Sequence, residues 1–264
     1  MRMIILKHEL KMNLKSLMIW TVCVGFTCFG CLLLFGSLEE SMEEIAQSYS
    51  NMGALSTAIG MDKISIATID GFYATEIGLI FAIGGAMFAA MTGVVALSKE
   101  EEGHTSEFLY TLPVGRRRVL LEKYAAMTVL VILFNGICIV WSVVGFILAG
   151  ELPPRQEFIL YHAAQFLMHM EVGSVCFLIS AASRKKQVGA ALGLAVFLYV
   201  MDLMCRLIPD MEKLKYVTPY YFSNAADIFT ENAVDGGMVG ISMAVIIFSV
   251  SAAVFVYVRR DLTA

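Results

Sequence analysis

Apolar residues in this chain come in long blocks, unlike the alternating or one-sided patterns of soluble strands and helices. Six runs, residues 17–36, 77–97, 124–150, 158–183, 187–208 and 236–258, carry few or no charges, and each holds 20 or more residues. At a rise of about 1.5 Å per residue, such a run crosses a hydrocarbon layer of about 30 Å. The runs are too long and too uniformly apolar for barrel strands, so they predict six transmembrane helices. The first has no cleavage-site pattern behind it and is expected to be retained. Residues 1–16 follow a different rule: Met3, Leu6, Leu10, Leu14 and Leu17 recur at steps of three and four beside a stripe of Lys7, Lys11 and Lys15. That pattern predicts a helix lying in the membrane surface, an elbow feeding the first span.

Composition agrees. Of 264 residues, 58% are hydrophobic and 16% charged, with a mean hydropathy of +0.74. Soluble domains hold roughly 25% charged residues, and a chain of this size has too little polar surface to hide such an excess. Lys and Arg set the orientation. With the N-terminus inside, the inner segments hold Arg2, Lys7, Lys11, Lys15, Lys99, Arg116, Arg117, Arg118, Lys123, Arg184, Lys185, Lys186, Arg259 and Arg260, which is 14 of the 19 basic residues. Both termini are therefore expected in the cytoplasm. The fold expected is an all-α integral membrane domain spanning residues 1–264, in the cell (cytoplasmic) membrane. Residues 37–76 read as a mostly solvated outer cap with some interfacial helix. Residues 209–235, with aromatics at Tyr220, Tyr221 and Phe222, read as an interface belt or a short re-entrant helix. Small residues at four-residue spacing (Gly85, Ala89 and Gly93; Gly189 and Gly193; Gly236 and Gly240) mark faces where helices could approach closely. The six cysteines all fall inside predicted spans and suggest no disulfide framework.

The inner loop after the second span is the most informative stretch. Gly103 can end that span, Thr105 can cap a short helix with Glu107 in its first turn, and Pro113 ends it before Arg116–Arg118. The helix would show a face of Phe108, Leu109 and Leu112, fit for a groove on another protein. A plain solvated turn is the alternative.

This loop resembles the signature of ABC-2 type transporter permeases, Glu-x-x-Gly-Thr-x-Glu-x-Leu-x-x-x-Pro-x-x-Arg. Here it is supplied by Glu100 or Glu101, Gly103, Thr105, Glu107, Leu109, Leu112, Pro113 and Arg116, with His104 inserted after the glycine. The tail from Tyr257 to Leu262 and the stretch from Pro219 to Ile228 are similar to the same family. The resemblance implies a permease working with a second copy or homologous permease and two ATP-binding subunits that carry ATP and Mg. This chain would bind no cofactor of its own. Glu101, Gly103, Thr105, Glu107, Phe108, Leu112, Pro113 and Arg116 would couple to the ATPase. No Gly-x-x-x-x-Gly-Lys-Ser/Thr is present, so the chain is not the ATPase.

Polar residues inside the spans are the remaining candidates, because each is costly there. His162, Gln165 and His169 share one helix face with Glu171 close by, and Gln165, His169 and Glu171 are candidates for a substrate path or for helix-to-helix hydrogen bonds. Asp202 and Arg206, four apart, suggest a structural ion pair. The His and Glu spacing matches no standard metal site, no protease or hydrolase motif is present, and the basic runs are explained by topology, so neither a metal nor nucleic acid is expected. An ATP-driven exporter is the leading reading. The alternatives are an ATP-independent channel or ion-coupled carrier using Glu171 and Asp202, and an intramembrane enzyme using His169 and Glu171.

Overall fold

A computed structural model describes residues 3–50, 53–104 and 114–260 of the chain. Regular structure among these residues is helical throughout, and six helices are long and apolar enough to cross a membrane. The first of these is built from α1 (Ile4–Thr21) and α2 (Thr27–Ser50), joined through a π turn at Val22–Phe26. Short helices α3 (Ala54–Ile59) and α4 (Ile69–Phe72) follow, and a second π turn, Tyr73–Ile77, leads into α5 (Gly78–Glu102). Then come α6 (Arg116–Leu148), α7 (Arg155–Ala182), α8 (Val188–Leu207), a 3-10 segment (Pro209–Tyr216), α9 (Ala225–Glu231) and α10 (Gly236–Arg259).

Helix α5 is the centre of the bundle, and it packs most closely on α7. The sequence allows this at its glycines. A Cβ on Gly93 would stand 2.3 Å from the Gly173 carbonyl oxygen, and one on Gly85 would enter the His169 ring. Backbone meets backbone across the seam, and Ser180 Oγ accepts from Leu97 N (2.9 Å) and Ser98 N (3.0 Å). At the other small stripes, a Cβ on Gly189, Gly193, Gly236 or Gly240 would meet nothing within 4 Å among the described residues.

The structure refines three expectations. The helix at the N-terminus runs from Ile4 to Thr21 and continues through the π turn, and its buried residues are Ile5, Glu9, Leu17 and Thr21, while Met3 and Leu14 stay exposed. Glu9 is drawn inward by ion pairs that an apolar period cannot reveal. The outer stretch before the second span is also less solvated than expected: Ile66, Ile69 and Tyr73 are buried, and the helix leading into α5 begins at Ile69 rather than near 77. Finally, the chain after α8 turns back along it. Thr218 donates to the carbonyl of Leu198 (2.8 Å), which lies ten residues into α8, or about 15 Å along its axis. This return of the chain beside α8 is termed the re-entrant stretch.

Candidate functional site

The C-terminal end of α5, the end expected to face inside, carries three consecutive acids, Glu100, Glu101 and Glu102. Successive helix residues point about 100° apart, so three in a row fan toward three neighbours. Glu100 pairs with Lys123 of α6. Glu101 pairs with Arg260, just past α10. Glu102 accepts from the backbone N–H of Lys186 at 2.5 Å, with the Lys186 ammonium 3.6 Å away, in the α7–α8 loop. One turn of helix thereby ties down the inner ends of α6, α10 and the α7–α8 connection.

A second layer closes around it. Lys123 is 2% exposed; its ammonium also donates to the Ala96 carbonyl (2.7 Å) and sits 3.1 Å from Glu9, whose other oxygen holds Lys99. A buried ammonium of this kind persists only because carboxylates and a carbonyl replace its water. Glu122 accepts from the N–H groups of Ile5 (3.1 Å) and Leu6 (3.3 Å), capping the first turn of α1, and from Arg118 (2.9 Å). Arg116 donates to the Arg260 carbonyl (2.7 Å), and Arg260 to that of Ser183 (3.0 Å). Desolvation lowers the pKa of the Arg260 guanidinium below its ordinary value.

This cluster brackets the inner loop. Gly103 ends α5, and His104 takes the left-handed conformation (φ 51°) immediately after it. The extra residue relative to the resemblance is thus the one that turns the chain out of the helix. Arg116 opens α6 on the far side. Thr105, Glu107, Phe108, Leu109, Leu112 and Pro113 lie outside the described residues.

In the middle of the bundle, the polar residues of α7 divide. His169 is fully buried, with Nδ1 3.2 Å from Asn135 Oδ1 and Nε2 3.3 Å from the Ala82 carbonyl. His162 Nε2 lies 3.0 Å from the Tyr73 hydroxyl, which donates to Ser142 (3.3 Å). Gln165 Nε2 donates to the Ser223 carbonyl (2.7 Å) in the re-entrant stretch, and Gln165 lines a cavity of about 40 Å³ with Asp202 and Tyr220. Glu171, two residues past His169 and so about 200° around the helix, faces the other way. It borders a small cavity with Ser242 of α10 and with Lys215 and Thr218. The candidate trio is therefore not one site.

At the opposite end, expected to face outside, Arg206 contacts both oxygens of Asp202 (3.1 Å each) and donates to Asp227 of α9 (2.8 Å) and to the Tyr221 carbonyl (3.1 Å). Its guanidinium lies 4.5 Å from the centre of the Tyr221 ring. Lys63 completes the set 2.7 Å from Asp227, and that hydrogen bond raises the lysine above its ordinary pKa. Two acids and two bases hold the re-entrant stretch against α8.

The sequence profile of the ABC-2 family transporter proteins matches residues 3–262. The chain belongs to that family. It is a multi-pass membrane component of an ABC-2 transporter, a transport subunit without an ATPase domain of its own. Comparison with curated proteins returned no match.

Several residues that organise the permease were not singled out from sequence. Glu100 belongs to the loop motif and Lys123 to the count of basic residues, while Glu9 and Glu122 enter neither. The one available signal was an acid, Glu9, inside an otherwise basic helix. Asp227 and Lys63 carried no local signal, since Asp227 meets Arg206 from 21 residues away and Lys63 from 164.

Proposed function

We propose that this permease is half of an ATP-driven exporter in the cytoplasmic membrane, and that the acid fan at the end of α5 is its coupling hub. The carrying observation is Glu100–Glu102: three adjacent carboxylates join α6, α10 and the α7–α8 loop at the point where the inner loop leaves the helix. A push on residues 103–116 by an ATP-binding subunit would reach every inner helix end through these pairs. Glu101, Gly103, Thr105, Glu107, Phe108, Leu112, Pro113 and Arg116 keep their proposed role in that contact. ATP and Mg belong to two partner subunits, and an elbow lying in the membrane surface fits the exposed Met3, Lys7, Lys11, Leu14 and Lys15 of α1.

The substrate path is better supported on α5 than on α7. Glu76, Ile80, Ile83, Met87, Met91 and Val95 recur at steps of three and four and are all partly exposed. On the helix wheel this stripe lies between the side packed on the α1–α2 rod, where Gly84 meets Val24, and the side bordering α8. His169 and Glu171 sit behind that layer, so we assign them to holding α7 in place, and Gln165 to positioning the re-entrant stretch.

The deciding experiment is gentle affinity purification followed by reconstitution. A near-stoichiometric ATPase subunit should co-purify, and replacing Glu107 and Arg116 should leave ATP hydrolysis but abolish its coupling to transport. Transport by the purified chain alone in liposomes would overturn the proposal in favour of a channel or carrier.

A further inference from the structure

On the outside wall of the inner half lies an open groove of about 530 Å³. Met3, Leu121 and Ala125 form its trough, with Arg117, Arg118 and Glu122 at one end. Met3 and Leu121 are 51% and 45% exposed, so the trough is apolar surface left uncovered among the described residues. The single acid at the charged end is already occupied, because Glu122 accepts from Ile5 N, Leu6 N and Arg118 Nε. Arg117 is exposed and has no ion-pair partner among the described residues, and the same holds for Lys7, one turn beyond Met3. The mouth is therefore positive in excess.

We infer that this groove binds an anionic phospholipid. Its phosphate would take Arg117, with Lys7 adding charge, since guanidinium groups match phosphate oxygens in charge and geometry. Its glycerol and upper acyl chain would lie on Leu121 and Ala125. The direction of the trough decides between a lipid and a protein. Leu121 and Ala125 are one turn apart, and the exposed Ile132 continues the same wall of α6. The apolar contact thus runs along a membrane-crossing helix, as an acyl chain does, whereas a soluble subunit would meet only the arginine end. This inference rests on the chain being a membrane protein and is independent of coupling and of the transported substrate.

The test uses the full chain, with whatever subunits accompany it, in mild detergent doped with phosphatidylglycerol or phosphatidylcholine, and native mass spectrometry to count retained lipid. Phosphatidylglycerol should be retained in preference. Arg117→Gln should weaken its retention about fivefold, the worth of one basic residue near an anionic headgroup. Leu121→Trp, which fills the trough, should weaken retention of both lipids. Both positions are exposed, so melting temperatures should match wild type and separate lost binding from lost folding. Equal retention of the two lipids, or unchanged retention in both variants, overturns the inference. Displacement of the lipid by excess inorganic phosphate would mark a free-anion site instead and overturns it too. So does loss of a co-purifying subunit from Arg117→Gln with lipid retention intact, which would assign the arginine end to a protein contact.

Discussion

Replacing Gly93 by alanine puts one methyl group into the tightest place in the bundle. Its Cβ would lie 2.3 Å from the Gly173 carbonyl oxygen and 3.1 Å from the Phe177 amide nitrogen. A carbon–oxygen contact needs roughly 3.2 Å or more, so α5 and α7 must part by about 1 Å. Both atoms met are backbone, and no rotamer change relieves the overlap. A radial gap of that size forfeits about a quarter to a half of each dispersion contact along the seam. It also stretches the paired bonds from Leu97 and Ser98 to Ser180, worth about 1 kcal/mol each. Overpacking alone costs typically about 1–3 kcal/mol, so the expected loss is roughly 3 kcal/mol or more. Gly189→Ala and Gly193→Ala are the controls, because nothing lies within 4 Å of the new atom, and they should stay within about 0.5 kcal/mol. Unfolding of the purified chain in detergent, followed by heat or by SDS titration, measures all three. A Gly93→Ala protein that unfolds like wild type, or a Gly189→Ala protein that loses as much, refutes the assignment of the seam.

Four further outcomes are expected. Lys123→Met takes a buried ammonium away from Glu100 and Glu9; the loss should be roughly 3–5 kcal/mol, and adding Glu100→Gln should restore part of it in the same unfolding assay. Arg206→Gln should free the re-entrant stretch, seen as faster hydrogen exchange at residues 217–224. Because Lys63 is raised above its ordinary pKa in the folded chain, its share of that outer network is full below the ordinary lysine value and is lost as pH rises through the raised one. Stability should therefore be flat through neutral pH and fall only above about 10.4. His169→Ala should cost roughly 2–5 kcal/mol of stability with substrate affinity unchanged, whereas Glu76→Gln should alter transport and leave stability near wild type; the reverse result would return the path to α7.

Some of this was legible along the chain. Six spans could be located because the requirement is local: about 20 apolar residues in succession satisfy a bilayer whatever packs against them. The loop motif from Glu100 to Arg116 carried the family, because its glycine, proline and charges have fixed spacing. The pairing of Asp202 with Arg206 was readable for the same reason, as residues four apart share a helix face.

What the sequence left open depends on partners distant along the chain. Gly85 and Gly93 look no different from Gly189 and Gly193 as a repeat, yet only the first pair meets a helix of the same chain. His169 and Glu171, two residues apart, seemed one candidate site, but a step of 200° sends them to different neighbours. Glu9 reads as a stray acid until Lys99 and Lys123, 90 and 114 positions later, close around it. Hydrophobicity fixes which segments enter the membrane, since transfer depends on each segment's own surface. Which faces then touch, and which buried charges survive, is decided by contacts that exist only once the helices have packed.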